Sequence, residues 1–233
     1  MTALKKIDDG LWVVDAPMVF CGLHIGTRMT VVRLPDGGLW LHSPIDAAPD
    51  LVAEITALGP VRFIVAPNLW HHLFVASWQA VAPDAKTYVA SGLLKKRPAL
   101  HADEVLADVA PAEWADTLDQ VVIKGMPKIG EVVFHHRPSR TLLLTDLAFN
   151  FQHERPWFTR TMTRLLGQVG TLAPTVFERL LTRDRDALAA SLEAVLSLPF
   201  ERVVVTHGDI VERGGREQLS AGYQWALRSR ATA

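Results

Sequence analysis

The sequence predicts an α/β chain folded as a sandwich of mixed sheets. Two observations carry this expectation: short apolar runs of strand length crowd the first half, and strand–helix units follow in the second. A third narrows it. No Gly-rich phosphate loop follows any strand, since Gly37-Gly38 and Gly214-Gly215 are turn-like, so a doubly wound nucleotide-binding fold has no support.

The elements follow in order. Leu11 to Val14 is an apolar run after Asp8-Asp9-Gly10 and reads as a strand after a turn. Met29 to Leu34 and Gly38 to His42 flank Pro35-Asp36-Gly37, a hairpin signal. Asp50 to Leu58 places Leu51, Val52, Ile55 and Leu58 at helical spacing and ends at Gly59-Pro60. Arg62 to Ala66 reads as a buried strand, His71 to Val81 as a helix closed by Pro83, and Lys86 to Ala90 as a short strand. Ala99 to Asp119 has no assignable period. Val121 to Ile123 is a strand, and Glu131 to His136 with Arg140 to Thr145 forms a hairpin around Arg137-Pro138-Ser139. Phe149 to Thr182, with Pro156 and Pro174 among aromatic and basic residues, reads as a helical insertion or lid. Asp184 to Leu198 is an amphipathic helix capped by Asp184 or Asp186, with Leu188, Leu192, Val195 and Leu196 on one face. Arg202 to Thr206 is a strand, and Glu217 to Arg228 closes the chain as a helix.

Composition sets the outer limits. With 233 residues, 49% hydrophobic and 21% charged, the chain can bury a substantial core and suits one domain over residues 1–233. Lys and Arg number 24 against 25 Asp and Glu, a net charge of −1, which argues against nucleic-acid binding. Cys21 is the single cysteine, so an intramolecular disulfide or a cysteine-based zinc site is excluded, and it reads as a core thiol. No apolar run reaches secretory or membrane-spanning length, so the expectation is a cytoplasmic protein without a membrane partner. Oligomeric state is not legible.

Nine histidines direct attention to metals and proton transfer. Three apolar runs end in metal-capable residues. Phe63 to Ala66 leads to His71-His72, Leu142 to Thr145 ends at Asp146, and Val203 to Thr206 ends at His207. Residues just beyond strand ends can converge on one edge of a sheet while the backbone holds them still. Imidazole nitrogen and carboxylate oxygen bind zinc, iron or manganese. His71, His72, Asp146 and His207 would fill most of one coordination sphere and leave a place for water. Bland alternatives stand beside this. Asp146 also fits a turn cap, and Asp209 a cap for the segment after His207. His135-His136 lies inside a strand with its rings on opposite sides and reads as structural. His24, His101 and His153 read as solvated, while His42 ends a strand and can face the site.

The order of these features resembles the metallo-β-lactamase fold superfamily, over roughly residues 6 to 212. Asp8 to Val14 looks like the family's opening strand. Thr30 to Arg33 with Gly38 to His42 looks like its next hairpin, where the family has an Asp near His42 or Ser43. Ser139 to Leu147 resembles the strand delivering its bridging aspartate, and Val205-Thr206-His207-Gly208-Asp209 the strand delivering its last histidine. The resemblance implies an αββα four-layer sandwich of two facing mixed sheets, with the site at one edge. The chain departs from the family's His-x-His-x-Asp-His motif, reading Pro67-Asn68-Leu69-Trp70-His71-His72. By this register Pro67 and Leu69 stand at first-metal positions, and Gly125 to Gly130 lacks the histidine of the family's Gly-His-Thr-Pro-Gly-like loop. The second-metal set is then His71 in place of Asp, His72, Asp146 and His207. The Pro-Asn-x-x-His-His string resembles a divergent bacterial branch of undefined function.

Three functions follow from this resemblance. One is a mononuclear metal-dependent hydrolase of a small ester, lactone, amide or phosphoester. It would use one divalent ion, zinc before iron or manganese, with Asp146 and His71 in the catalytic machinery and Asp209 fixing a histidine tautomer. Another is a non-catalytic protein that binds a small-molecule ligand or partner through a degenerate, metal-free site, with Trp70, Trp78 and Trp157 lining an apolar pocket or belonging to core and lid. A third is a single-iron redox enzyme, which the ligand types permit.

Overall fold

The computed structural model describes residues 4–152, 156–165 and 170–228. The N-terminal half runs through β1 (Leu4–Asp8), β2 (Leu11–Ala16), the small hairpin β3 (Val19–Phe20) and β4 (Leu23–His24), then β5 (Thr27–Arg33) and β6 (Leu39–His42). It continues through α1 (Pro49–Thr56), β7 (Val61–Ala66), α2 (Val75–Val81), β8 (Lys86–Val89), α3 (Leu93–Lys96) and β9 (Glu104–Val105). These strands form a sheet in the order β1-β2-β5-β6-β7-β8-β9, with β3 and β4 paired only to each other. The C-terminal half adds β10 (Leu118–Val122), β11 (Val132–His136), β12 (Thr141–Leu144), α4 (Trp157–Leu165), α5 (Val176–Leu181), α6 (Arg185–Ser197), β13 (Arg202–Val205), α7 (Gly215–Gly222) and α8 (Gln224–Leu227). Its sheet has the order β10-β11-β12-β13. Both sheets are mixed. β5 pairs antiparallel with β6, β6 and β7 run parallel, β11 pairs antiparallel with β12, and β12 and β13 run parallel.

The period of two along each strand sorts apolar side chains into three cores. Leu11 and Val13 of β2, Trp40 of β6, Phe63 and Val65 of β7, Phe134 of β11, Leu143 of β12 and Val204 of β13 pack together between the sheets. Their sequence neighbours point the other way. Leu39, Leu41, Ile64 and Ala66 meet Leu51 and Ile55 of α1, Val75 and Trp78 of α2, and Leu93 of α3. Val133, Leu142, Leu144, Val203 and Val205 meet Leu188, Leu192 and Val195 of α6, with Leu219, Tyr223 and Ala226. Helix, sheet, sheet and helix therefore stack as four layers, the αββα arrangement expected from the sequence.

Some boundaries differ from the sequence reading for identifiable reasons. α1 starts at Pro49, whose missing N–H costs nothing in a first turn. The helix read from His71 begins only at Val75, because 70–74 are turns, with His72 N–H donating to the Trp70 carbonyl at 3.1 Å. β1 escapes an apolar-run reading because it is an edge strand with two exposed lysines, a composition that discourages further strand pairing. β3, β4 and β9 span two residues each, too short for any period. Asp184 caps α6 by accepting the Ala187 N–H at 2.9 Å. Within 149–182, α4 and α5 are helical and Phe149 bridges Ala173. Residues 153–155 and 166–169 lie outside the described residues, and with them His153. No helix among the described residues is long and apolar enough to cross a membrane.

Candidate metal centre

Parallel register assembles half of the site. Leu144 of β12 pairs with Val205 of β13, so Asp146 and His207, each two residues further on, leave the sheet side by side. β7 delivers the 67–74 loop from the facing sheet, and His71 meets them. Ligand atoms of His71, Asp146 and His207 all lie within 4.8 Å of one another. His71 Nε2 is 3.2 Å from His207 Nε2 and 3.2 Å from Asp146 Oδ2, and His207 Nε2 is 3.5 Å from Asp146 Oδ1. The three side chains are only 8%, 4% and 4% exposed.

Each member is held from behind. His207 Nδ1 lies 2.6 Å from the Gly26 carbonyl oxygen, which only accepts, so Nδ1 carries the proton and the neutral ring presents a lone pair at Nε2. His71 Nδ1 is 2.8 Å from Ser43 Oγ, which leaves its Nε2 facing the centre. Asn68 is fully buried and works in two directions. Its amide donates to Asp146 Oδ2 at 2.6 Å and Thr145 Oγ1 at 2.9 Å, and its carbonyl accepts the N–H groups of Trp70 at 2.8 Å and His71 at 2.7 Å. Buried Glu131 accepts the Thr145 and Asp146 N–H groups, one on each oxygen, both at 2.7 Å. Gly208 follows His207 at φ +109, and a Cβ there would overlap the Asn150 carbonyl.

Burial would push the Asp146 carboxyl up, but His71 and His207 more than offset it and hold it well below the usual carboxylate range. Glu131 is raised, by burial first and then by the Asp146 charge. A cation suits this cluster. A carboxylate and two imidazole nitrogens converge away from water, and nitrogen lone pairs repel unless a proton or metal lies among them. Ligand atoms about 2.0–2.1 Å from a tetrahedral zinc stand about 3.3–3.4 Å apart. The observed edges of 3.2, 3.2 and 3.5 Å match that spacing, with two different Asp146 oxygens at their ends. Two His and one carboxylate also suit iron(II).

The other residues singled out in the sequence lie elsewhere. His72 is not in the cluster. Its pKa falls, through burial first and then the charges of Arg97 and Lys96. His42 lies between the sheets, stacked on Trp40 at 5.5 Å and edge-on to Phe134 at 5.6 Å. Neither of its nitrogens has a hydrogen-bond partner, and burial pushes its pKa to about 3. His135 bonds Asp119 at 2.9 Å and His136 bonds Ser139 at 2.6 Å, so both have structural partners. His24 and His101 are exposed, the latter 3.7 Å from Asp103. The Asp209 carboxylate accepts the Gln152 N–H at 2.9 Å, and the partner behind His207 is the Gly26 carbonyl. Trp78 is core, its indole N–H on the Ile45 carbonyl at 2.7 Å, Trp70 lines the site cavity and Trp157 is exposed. Cys21 is exposed, on the β3–β4 turn at φ +48, and so is not a core thiol. Leu69 packs toward Gly130 and donates its N–H to the Ile129 carbonyl at 2.9 Å. Ser43, Gly26 and Glu131 were missed as supports. Only Glu131, an acid heading an apolar strand, left a trace in the sequence.

The cluster sits in a cavity of about 980 Å³, whose wall is mainly apolar, including Met18, Phe20, Ile45, Phe149 and Phe177.

The chain has a metallo-β-lactamase-like fold with a His–Asp–His cluster at the sheet edge. Solved structures agree on the fold. A metallo-β-lactamase from Pontibacter korlensis superposes with a TM-score of 0.67 at 15% identity, covering 98% of this chain and 99% of that one. The metallo-β-lactamase FIM-1 from Pseudomonas aeruginosa, in a mono-zinc form, gives 0.67 at 14% identity over 98% and 96%. A metal-soaked Flv1 flavodiiron core from Synechocystis gives 0.66 at 12% identity over 99% of this chain and 62% of that one. No curated protein matches the sequence. Residues 8–166 match the family described as a domain of unknown function, DUF4336, and the chain belongs to that family.

Proposed function

We propose that this chain is a metal-dependent hydrolase of a small ester, lactone, amide or phosphoester, working through one divalent ion held by His71, Asp146 and His207. The observation that carries this is the convergence of His71 Nε2, His207 Nε2 and the Asp146 carboxylate, with the His207 tautomer fixed by the Gly26 carbonyl. Zinc is the ion of choice, with iron(II) or manganese suiting the same donors. When bound, the ion would supply a water of lowered pKa and polarise the carbonyl or phosphoryl oxygen.

The protein's own groups do the rest. Ser43 and Gly26 fix both rings so that each Nε2 faces inward. Asn68 and His71 engage Asp146 Oδ2 while Oδ1 lies 3.5 Å from His207 Nε2, and the carboxylate would both help hold the ion and orient its water. His72 walls the cavity rather than completing the ligand set. Occupancy by one ion is supported by the apolar packing of Leu69 against the 126–130 loop, where a second ligand set would need polar groups. It is also supported by the mono-zinc form of the Pseudomonas aeruginosa protein. Phe149, Phe151 and Phe177, from both ends of the region read as a lid, contribute to the wall.

A panel of nitrophenyl esters, lactones, amides and phosphoesters tests this. Turnover on one class, abolished in Asp146→Ala and His71→Ala with the fold retained, is the expected result. Equal turnover in those variants would overturn it.

A further inference from the structure

We propose that the cavity over the His71–Asp146–His207 cluster accepts an anionic amphiphile, an apolar acyl or aryl body with a carboxylate or phosphate head, and that Lys96 and Arg97 hold that head. The inference deepens the hydrolase reading and rests on it for the bond that is cleaved.

Size and wall chemistry give the apolar body. A cavity of about 980 Å³ stands at the upper end of the range for small-molecule sites, well beyond what a short ester fills. Its mouth is costly when empty. Val19, Phe20, Leu73 and Phe177 line it and remain 56%, 57%, 58% and 49% exposed. A cluster of half-exposed large apolar side chains around a concave site marks a surface that a ligand covers. The β3–β4 hairpin, which pairs with no other strand, brings two of the four there.

Charge gives the head. Lys96 and Arg97 close α3 and line the same cavity. Lys96 Nζ donates to the Leu69 carbonyl at 2.7 Å, which holds the ammonium on the wall of the loop that carries His71 and leaves two of its protons to give. The Arg97 side chain has no hydrogen bond or ion pair among the described residues. Both side chains are exposed at the cavity rim, and a guanidinium there without a partner suits a carboxylate or phosphate. Opposing charge is sparse. Asp146 belongs to the cluster, Glu178 is engaged by the Thr175 N–H at 2.9 Å and by its hydroxyl, and Asp46 is the exposed acid of the lining. A bound head beside Leu69 places the body across the cavity floor, where His71 lies.

The test uses dansyl-undecanoate and its methyl ester, titrated by fluorescence into the wild type, the Lys96→Gln/Arg97→Gln double variant and His71→Ala. The wild type is expected to bind the acid at least about tenfold more tightly than the ester. The double variant should lose that preference while keeping the ester affinity, which also shows that its cavity is intact. His71→Ala should keep the preference. Equal binding of acid and ester by the wild type, or no binding of either, would overturn the proposal. So would a preference surviving in the double variant, or one lost in His71→Ala, which would put the carboxylate on the metal. These readouts need no turnover, so a failed substrate panel and a failed head-group site remain distinguishable.

Discussion

Asn68 donates its side-chain amide to Asp146 Oδ2 at 2.6 Å while its carbonyl holds the His71 backbone N–H at 2.7 Å. One buried residue thus couples a side chain from one sheet to a loop from the other. The distance between two members of the cluster depends on it.

Replacing Asn68 should therefore cost both stability and geometry. Asn68→Ala leaves the Trp70 and His71 N–H groups and the Asp146 carboxylate short of a partner, for a loss of about 2–4 kcal/mol. Chemical denaturation should show the loss, and metal affinity should fall in the same variant. An Asn68→Ala protein with unchanged unfolding and metal affinity would mean that the clamp is idle.

Ser43→Ala separates positioning from folding. Ser43 Oγ is the partner of His71 Nδ1, and removing it frees the ring without opening a large cavity. Metal affinity should drop about 10–100-fold, as for other groups that orient a metal-binding histidine, with unfolding shifted by no more than about 1 kcal/mol. Isothermal titration with zinc beside a thermal melt reads both.

Gly208→Ala tests the bend that presents His207. Its φ of +109 and the nearby Asn150 carbonyl leave no room for a methyl group. The expected loss is about 1–3 kcal/mol, together with weaker metal binding, because the end of β13 must shift. Wild-type stability and affinity in this variant would contradict the geometry.

The share of stability held by His42 and His136 should fall as pH drops below about 6.5, while Glu131 and Glu178, raised by burial, act in the opposite direction. His136 is pushed to about 4, mainly by burial, with Asp8 raising it and His135 lowering it, and His42 is pushed to about 3 by burial. Both lie below the usual imidazole value of about 6.5, so below that pH the unfolded chain binds protons that the folded chain refuses. The stabilisation is complete above about pH 6.5 and is lost progressively as pH falls toward those lowered values. Between about pH 7 and 5 the wild type should lose more stability, or gain less, than His136→Gln in denaturant midpoints. Parallel profiles for the two proteins would contradict it. Asp8 and Asp119, held low by Arg202 and Arg137, add to the loss only in more acidic solution.

The residues of the cluster were readable because apolar runs announce their own ends. Leu142 to Leu144 and Val203 to Val205 are continuous because both faces of their sheet are covered, and a polar residue just past such a run has few places to go but the sheet edge. The separation of His72 from the group of three had no signal in the sequence. Adjacent residues part company only when the backbone turns, and the turn at 70–74 rests on Asn68 accepting two N–H groups, a contact without periodic signature. The supports behind the cluster were hidden for a related reason. Ser43 and His71 lie 28 residues apart and Gly26 and His207 181 apart, and such pairings exist only once the sheets face each other. The layering itself was legible from alternation, as in Trp40 facing Phe134 between the sheets while Leu39 and Leu41 face α1. The β3–β4 hairpin and β9 gave no signal because two residues carry no period.

The most direct test of the central claim is metal content per chain by elemental analysis, on protein purified without an affinity tag or chelator, for the wild type and for His207→Ala and His72→Ala. About one divalent ion per chain in the wild type, lost in His207→Ala and kept in His72→Ala, is the predicted result. No ion in the wild type, or an ion retained without His207, would contradict the metal centre.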